Sequence, residues 1–314
     1  MAIDHDATLG ALETETANSA TSEIDRMSAL EIVRAMNAED ATVAAAVARE
    51  LPAIARAIEE TARRLRGGGR LIYMGAGTSG RLGMLDASEC PPTFDTSPGT
   101  VVGWMAGGAE AFMRAAEEVE DSADAGRADA ARLGIGKRDV IVGVAASGRT
   151  PYVLGAVVYA GERGALTIAL ACNTGTPLAG AVDIAIAPVV GPEVIAGSTR
   201  LKAGTAQKMV LNMLSTGTMI LLGKTYGNLM VDVRATNHKL RRRAVRIVAG
   251  ATGLDEEAAA TLLRDTDDEV KTAIVVARAG IAPAVARERL AAHGGIVRAV
   301  LEGTRHDRRG TTSY

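Results

Sequence analysis

Short apolar runs alternate with helical segments through the middle of the chain. Five of these runs are nearly continuous in apolar residues, and they lie at 70–74, 100–106, 139–146, 165–171 and 182–190. Strands that are apolar on both faces are typical of a parallel sheet covered by helices on each side. The pattern therefore predicts an α/β fold, and ligands of such folds bind at the carboxyl ends of the strands.

The flanking segments have helical spacing instead. Ser28 followed by Glu31 forms a capping box, which predicts a helix over the sequence SALEIVRAMNAED. Residues 41–66 are rich in alanine, with apolar positions at helical spacing, and the three glycines that follow are expected to end this helix. After Gly250 the pattern is entirely helical.

These patterns predict four parts of the chain. An arm without periodicity covers residues 1–27, a sheet domain covers 28–249, a small helical domain covers 250–303, and a disordered tail covers 304–314. A long uncharged stretch lies within residues 208–224, and its polar interruptions favour a core helix or a dimer-interface helix over a membrane span.

The composition excludes several classes of function. The 314 residues carry 35 Lys and Arg against 37 Asp and Glu, and only 3% are aromatic, so neither nucleic acid nor a membrane surface is an expected partner. Two cysteines and four histidines supply no disulfide framework and no metal cluster. Because the acidic N-terminus lacks a secretory signal, we expect a soluble cytoplasmic protein that uses carboxylates, hydroxyls or backbone amides.

A glycine-rich loop follows the first predicted strand. Its sequence GAGTSG, at 75–80, matches the dinucleotide fingerprint G-x-G-x-x-G. The second strand ends in two glycines without the carboxylate that a dinucleotide ribose requires, so a dinucleotide oxidoreductase is the weaker interpretation. Thr78 and Ser79 place hydroxyls beside free amides at a helix N-terminus, which suits a phosphate monoester.

A second loop repeats this chemistry after the third strand. Ser147 and Thr150 follow the strand directly, and Ser-Gly-Arg occurs in both loops, at 79–81 and at 147–149. Two hydroxyl-rich turns on neighbouring parallel strands favour a common phosphate site. Ser198, in a third hydroxyl-rich segment before the long helix, is expected to close this site.

Carboxylates are the candidates for acid and base. Glu89 lies in LDASECPPTF, just before a Pro-Pro pair at which we expect the helix to break. A second group of carboxylates, Glu117, Glu118, Glu120 and Asp121, follows the second strand. Such a cluster is also typical of a solvated helix face, and the pattern does not choose among its members.

The motifs together resemble the bacterial N-acetylmuramic acid 6-phosphate etherases. The segments that carry the resemblance are GAGTSGRLG, LDASECPPTF, AASGRTPYV, GSTRLKAGTAQK, NMLSTG and GNLMVDVRATN, within residues 14–301. These etherases belong to the sugar isomerase (SIS) superfamily, which includes the glucokinase regulatory protein. The resemblance implies an SIS-type parallel sheet sandwiched by helices, with a small C-terminal helical domain.

The resemblance also implies a reaction. A cofactor-free and metal-free lyase would cleave the lactyl ether of N-acetylmuramic acid 6-phosphate by elimination and rehydration, in the recycling of cell-wall sugars. The products would be N-acetylglucosamine 6-phosphate and D-lactate, and the enzyme would be a homodimer. A non-catalytic regulator that binds a sugar phosphate and a phosphosugar isomerase share the phosphate loops, and both stay open as alternatives.

Site residues follow from the resemblance by position. The phosphate-binding hydroxyls of the superfamily match Thr78, Ser79, Ser147 and Thr150. The two active-site glutamates of the etherases match Glu89 and Glu120, and this match, rather than spacing, selects Glu120 from its cluster. Our hypothesis is that Glu120 removes the C2 proton and that Glu89 protonates the departing lactate.

Overall fold

Five parallel strands form the central sheet. The computed structural model describes residues 12–113, 117–233 and 238–310. The strands are β1 Leu71–Gly75, β2 Val101–Met105, β3 Val140–Val144, β4 Leu166–Leu170 and β5 Ile184–Ile186, in the order β2-β1-β3-β4-β5. Each strand coincides with one of the five apolar runs, and β1, β3 and β4 are buried along their whole length. The predicted α/β fold with a parallel sheet is confirmed.

The direction in which strands are added to the sheet reverses at β1. Strand β2 pairs with one edge of β1, and the chain then returns to add β3 at the other edge. Gly75 at the end of β1 is in register with Met105 of β2 and Val144 of β3. The segments that follow these three strands therefore leave the sheet side by side, at a topological switch point where α/β folds bind ligands.

Helices cover both faces of the sheet. They are α1 Ala29–Asp40, α2 Val43–Ala48, α3 Leu51–Arg66, α4 Gly77–Phe94, α5 Glu117–Glu120, α6 Ala123–Arg132, α7 Pro151–Glu162, α8 Pro177–Gly180 and α9 Lys202–Leu221. Helix α7 buries Tyr152, Val153, Ala156 and Val157 completely, in the core cluster that also contains β1 and β3 side chains. The predicted capping box of Ser28 and Glu31 is present at the start of α1.

Two helices differ from their predicted extents. The helix predicted over 41–66 is divided into α2 and α3, and Pro52, which has no N–H to donate, lies in the first turn of α3 where none is needed. The predicted break at Pro91 and Pro92 is wrong, because α4 continues through both to Phe94. The prolines lie in the last turns of α4, where a proline carbonyl can still accept a hydrogen bond. The Asp95 N–H donates to the Pro91 carbonyl at 3.0 Å.

Helix α9 occupies the long apolar stretch and belongs to the core. Its side chains of Val210, Leu211 and Leu214 are fully buried, whereas Ile220 and Leu221 at its end are exposed. This agrees with a core helix. In the described ranges, no helix combines the length and the apolar character that crossing a bilayer requires.

Contacts divide the chain into two compact units. The first contains the residues up to Ser88 and Pro98–Ser215, and the second contains Glu89–Ser97 and the chain from Thr216 onward. The second unit has a two-stranded antiparallel pair, β6 Thr225–Tyr226 and β7 Leu229–Met230, and helices α10 His238–Thr252, α11 Glu256–Asp265, α12 Val270–Ala279, α13 Pro283–Ala292 and α14 Val297–Gly310.

This division differs from the boundary predicted after residue 249. Ala244, Ile247 and Val248 of α10 are buried in one core cluster with α11 and α12, so α10 groups with the helices that follow it rather than with the sheet. Helix α14 extends to Gly310, into the tail predicted from residue 304, and residues 311–314 lie outside the described residues.

The predicted arm, as far as it is described, packs against a loop of the first unit. It forms three 3-10 turns, Glu13–Glu15, Ser19–Thr21 and Ile24–Arg26, and residues 1–11 lie outside the described residues. The amide of Asn173 donates to the Thr14 hydroxyl at 3.1 Å, and the Thr21 hydroxyl donates to the Val194 carbonyl at 3.0 Å. Thr14 is fully buried and its carbonyl accepts from the Gly197 N–H at 3.2 Å, so the arm fixes the loop that carries Ser198.

Candidate active site

The glycine-rich loop is a close contact between a strand and a helix. A Cβ atom on Gly75 would lie 2.8 Å from the Gly80 nitrogen, and one on Gly80 would lie 2.6 Å from the Met105 Cβ. Gly77, the first residue of α4, has a φ of +51°, a left-handed conformation that favours glycine. All three glycines of the G-x-G-x-x-G pattern are therefore accounted for by the turn itself, without a dinucleotide.

Thr78 and Ser79 lie in the first turn of α4. The Gly80 N–H donates to the Ala76 carbonyl at 3.0 Å, whereas the N–H groups of Thr78 and Ser79 precede the first intrahelical acceptor and are available to an anion. Thr78 is half-buried, and its methyl group is 3.7 Å from the position of a Cβ on Gly204 in α9. Ser79 is buried, and its hydroxyl donates to Oε1 of Gln207 in α9 at 3.0 Å. The first turns of α4 and α9 thus meet at the predicted phosphate loop.

The second loop presents Ser147 and Thr150 at the start of α7. The Ser147 hydroxyl accepts from the Arg149 N–H at 3.3 Å, which leaves its own proton to donate. Thr150 occupies the N-cap position of α7, but its side chain forms no capping hydrogen bond. Both residues are half-buried, so two hydroxyls are offered beside a second helix N-terminus.

The sheet brings these two loops to one edge. Gly75 and Val144 are paired in register, and each loop begins directly after its strand. The N-termini of α4 and α7, with the predicted hydroxyls of Thr78, Ser79, Ser147 and Thr150, therefore follow adjacent strands. The positive ends of two helix dipoles at one sheet edge favour an anionic group there.

Glu120 ends α5, in the segment that follows β2. Its side chain is half-buried, and Oε1 lies 3.2 Å from the position that a Cβ on Gly77 would take. This carboxylate therefore lies against the first turn of α4. Asp121 is exposed, and the side chains of Glu117 and Glu118 lie outside the described residues.

Glu89 lies further along α4 and is exposed. It follows Gly77 by 12 positions in the sequence of α4. Leu85, one turn earlier on the same face of α4, is 50% exposed. Glu89 therefore presents its carboxylate on an open and partly apolar helix face.

Ser198 is half-buried in the loop that precedes α9. The N-terminus of α9 is capped by Glu193, a fully buried carboxylate that accepts from the N–H groups of Lys202 and Ala203, each at 2.9 Å. Gly204, which lies near the Thr78 methyl group, is in the same capped first turn of α9. Ser198 is thus placed on a fixed loop just before α9, which approaches the glycine-rich loop at Thr78.

Carboxylates, hydroxyls and amides make up this site. Among the described residues, no three His, Cys, Asp or Glu side chains are grouped so that they would hold a metal ion. Cys90 and Cys172 are both buried, and burial raises the pKa of the Cys172 thiol to about 12. Cys172 is therefore a neutral packing residue near pH 7.

Comparison with known proteins identifies the family. A family model described as "Glucokinase regulatory protein N-terminal SIS domain" matches residues 53–161, and one described as "SIS domain" matches residues 108–256. Proteins named N-acetylmuramic acid 6-phosphate etherase in Salmonella agona and Salmonella typhi are each 56% identical over 294 residues, which is 94% of this chain and 99% of each relative. The chain belongs to the N-acetylmuramic acid 6-phosphate etherase family.

A solved structure shares the fold at lower similarity. The phosphoheptose isomerase from Francisella tularensis has a TM-score of 0.51 and 21% sequence identity, covering 62% of this chain and 100% of the isomerase. Membership of the etherase family and the SIS-type sheet, both expected from the motifs, are thus confirmed.

The LDASECPPTF segment of this chain contains a buried carboxyl group that sequence reasoning missed. Asp86 of the LDASECPPTF segment is buried and accepts from the Tyr73 hydroxyl at 2.9 Å, the Asn212 amide at 2.6 Å and the Ser215 hydroxyl at 3.1 Å. Burial raises the pKa of Asp86, against the effect of these donors. The group joins α4 to β1 and α9. The sequence around Asp86 gives no sign that its side chain is buried and joins three elements.

A buried ion pair anchors α1 in this etherase-family chain. The Lys202 side chain is 3% exposed and donates to the carboxylate of Glu39, near the end of α1. This hydrogen bond holds the pKa of Glu39 below its usual range. Lys202 belongs to the motif GSTRLKAGTAQK, and its burial and its pairing with Glu39 give it a structural role.

Proposed function

We propose that this chain is a lyase that cleaves the lactyl ether of N-acetylmuramic acid 6-phosphate to N-acetylglucosamine 6-phosphate and D-lactate. The observation that carries this proposal is the 56% identity, over 94% of the chain, to relatives that bear the etherase name. The placement of Glu120 against the first turn of α4 supports it, because a regulator that only binds a sugar phosphate needs no carboxylate there.

In this proposal the phosphate is held between the two loops. The hydroxyls that bind it are those of Thr78, Ser79, Ser147 and Thr150, helped by the free amides at the N-termini of α4 and α7. Ser198 closes the site from the loop before α9. Binding at the phosphate positions the sugar for a reaction at carbons remote from it.

The reaction needs a base and an acid. In the open-chain sugar, C2 is next to the C1 aldehyde, so its proton can leave as an enolate forms. We propose that Glu120 takes this proton, that the electron pair forms a C2–C3 double bond, and that Glu89 protonates the ether oxygen as the C3–O bond breaks. Each such transfer contributes about 10²–10⁴-fold.

Rehydration completes the reaction. Water adds at C3 of the unsaturated aldehyde, and Glu89, now ionised, accepts its proton. Glu120 returns its proton to C2, so both carboxyl groups regain their starting states. No redox change occurs, and the overall reaction consumes one water and releases D-lactate.

We further propose a homodimer in which Glu89 and Glu120 of one site come from different copies. Two groups that act on adjacent carbons must converge, and the exposure of Glu89 on an open helix face favours a site that a second copy completes. Exposed apolar side chains support a second copy: Leu85 is 50% exposed beside Glu89, and α1 buries none of its residues, with Leu30 56% and Val33 55% exposed. The middle of α9 is buried and is not open to a second copy. The exposed apolar positions of α1 and α4 are therefore the dimer contact that we propose.

The cytoplasm is the proposed compartment. A sugar phosphate carries charge and does not cross a bilayer unaided, so an enzyme that consumes it works where the phosphate is added. The role that we propose there is the recycling of cell-wall sugars.

The first test is an assay of D-lactate. Purified protein is incubated with N-acetylmuramic acid 6-phosphate, and D-lactate release is measured over time, with unphosphorylated N-acetylmuramic acid as the matched substrate control. Folded protein that binds the sugar phosphate but releases no lactate would instead be a regulator. Conversion of an unsubstituted aldose phosphate to a ketose phosphate would indicate an isomerase.

The second test separates the two glutamates and their copies. Exchange of the C2 proton with deuterium should survive in Glu89→Gln and be lost in Glu120→Gln, and the reverse result would exchange their roles. When the two inactive variants are mixed and allowed to exchange subunits, heterodimers should restore roughly a quarter of the wild-type rate. A mixture that stays inactive despite confirmed subunit exchange would refute the shared site while leaving the reaction itself to the lactate assay.

A further inference from the structure

Gln207 is the single glutamine of the chain. Only one of the two polar atoms of its side chain has a hydrogen-bond partner among the described residues. It lies in α9 and is fully buried. Its Oε1 accepts from the Ser79 hydroxyl at 3.0 Å, while its Nε2 is buried without a hydrogen-bond partner among the described residues. Buried N–H groups almost always have an acceptor, so this one calls for an explanation.

The amide has two orientations of nearly the same shape. Rotation by 180° about the last side-chain torsion exchanges Oε1 and Nε2, and the hydrogen-bond network decides between them. In the rotated orientation Nε2 donates to the Ser79 oxygen. The oxygen of Gln207 then takes the buried position that Nε2 occupies in the orientation observed.

The orientation decides where the proton of Ser79 points. A hydroxyl has one proton, and in the orientation observed that proton is given to Gln207. Ser79 then cannot donate to an anion at the first turn of α4. In the rotated orientation the Ser79 oxygen receives a hydrogen bond from Nε2, and its proton is released for an acceptor at the free amides of the helix N-terminus.

We propose that Gln207 is a positioning residue for phosphate recognition, whose amide rotates when a phosphate ester binds. Nε2 then donates to the Ser79 oxygen, and the Ser79 hydroxyl donates to a phosphate oxygen. This inference rests on the proposed phosphate site at Ser79, and it concerns binding rather than the chemical step.

Because the chain has one glutamine, its side-chain amide can be observed alone. Protein labelled with ¹⁵N only at the glutamine amide gives one NH₂ pair, which reports on Gln207. Saturating N-acetylglucosamine 6-phosphate should shift both amide protons, whereas N-acetylglucosamine should not, and the Ser79→Ala variant should lose the shift. Unchanged resonances in wild-type protein, at a sugar phosphate concentration shown by calorimetry to saturate binding, would overturn the proposal.

Kinetics supply a second readout. Gln207→Glu keeps the shape, and its carboxylate can only accept when ionised, so at a pH where it is ionised it holds the Ser79 proton away from the ligand and should raise KM by about 10- to 100-fold with a much smaller change in kcat. Thr218→Val is the matched control, because Thr218 is also a fully buried α9 residue whose side-chain oxygen has no partner among the described residues. Equal KM values for the two variants would refute the role of Gln207.

A double substitution separates positioning from packing. Gln207→Met should raise KM in the wild-type background and have no further effect on KM in the Ser79→Ala background, because Gln207 acts through Ser79. Additive effects would mean that Gln207 only fills space. The amide resonance is read from a binding experiment, so it stays informative even if the protein releases no lactate.

Discussion

A methyl group added at Gly148 would test whether the loop that carries Ser147 and Thr150 depends on close packing. Gly148 has a φ of +66°, and a Cβ there would lie 2.5 Å from both Cβ and Oγ1 of Thr176. Thr176 is not free to yield, because it is buried and its hydroxyl caps α8 by accepting from the Ala179 N–H. The Gly148→Ala variant therefore combines backbone strain with a steric clash.

A neighbouring glycine allows the two effects to be separated. Gly175 has a φ of +63°, but a Cβ there would meet nothing within 4 Å. Gly175→Ala should therefore carry only the left-handed backbone strain, about 1–2 kcal/mol. Gly148→Ala adds overpacking, about 1–3 kcal/mol, and the loss of the cap, about 1 kcal/mol. We expect it to be less stable than Gly175→Ala by about 2–4 kcal/mol.

The assay is urea unfolding followed by tryptophan fluorescence. The only tryptophan, Trp104, lies in β2, so the signal reports on the unit that contains the loop. Equal free energies of unfolding for the two alanine variants, with unchanged m-values, would refute the steric reasoning. KM for the phosphorylated sugar should also rise in Gly148→Ala, since Ser147 and Thr150 flank the clash.

Three other substitutions probe the surroundings of the site. Lys202→Met removes the partner of Glu39 and should lower the free energy of unfolding by about 1–3 kcal/mol at pH 7. Since the Glu39 pKa is held below its ordinary 4.5, this difference should shrink as the pH falls from 4.5 through the lowered pKa, and urea titrations at several pH values would reveal a constant difference if this is wrong. Burial raises the Asp86 pKa above its ordinary 3.8, so this group's contribution to stability is present below 3.8 and is lost as the pH rises through the raised value. Asp86→Asn should therefore gain stability relative to wild type over that range, and parallel pH profiles would contradict this. Gly77→Ala would place a Cβ 3.2 Å from Oε1 of Glu120 and should lower kcat for lactate release by about 10- to 100-fold; an unchanged kcat would argue against Glu120 as the base.

The strands and the turns that follow β1 and β3 could be predicted because their signals are local, whereas phosphate binding by those turns stays a prediction. A strand buried on both faces shows itself as an apolar run, and the glycines of residues 75–80 mark a tight turn after it. The parallel sheet then requires both loops to leave at one edge. The resemblance to the etherases added the choice of Glu120, which no local pattern made.

The features that escaped prediction depend on contacts between distant positions. Ser79 and Gln207 are 128 positions apart, and Asp86 and Asn212 are 126 positions apart. Polar residues with no apolar period around them look like surface residues in sequence, and only the packing of α4 against α9 buries them. The Pro-Pro pair misled for a related reason, because a proline removes a donor without preventing the residues beyond it from donating to its carbonyl.

The arm has a consequence for the order in which the protein matures during synthesis. Thr14 and Thr21 leave the ribosome early, but the residues to which they bind, Asn173 and Val194, are made 159 and 173 positions later. At the usual pace of translation this delay is about 10–30 s. During that interval the loop that carries Ser198 has not been synthesised, so Thr14 and Thr21 lack these hydrogen-bond partners. The arm is therefore made early but reaches its final contacts late, after Asn173, Val194 and the loop that carries Ser198 have been synthesised.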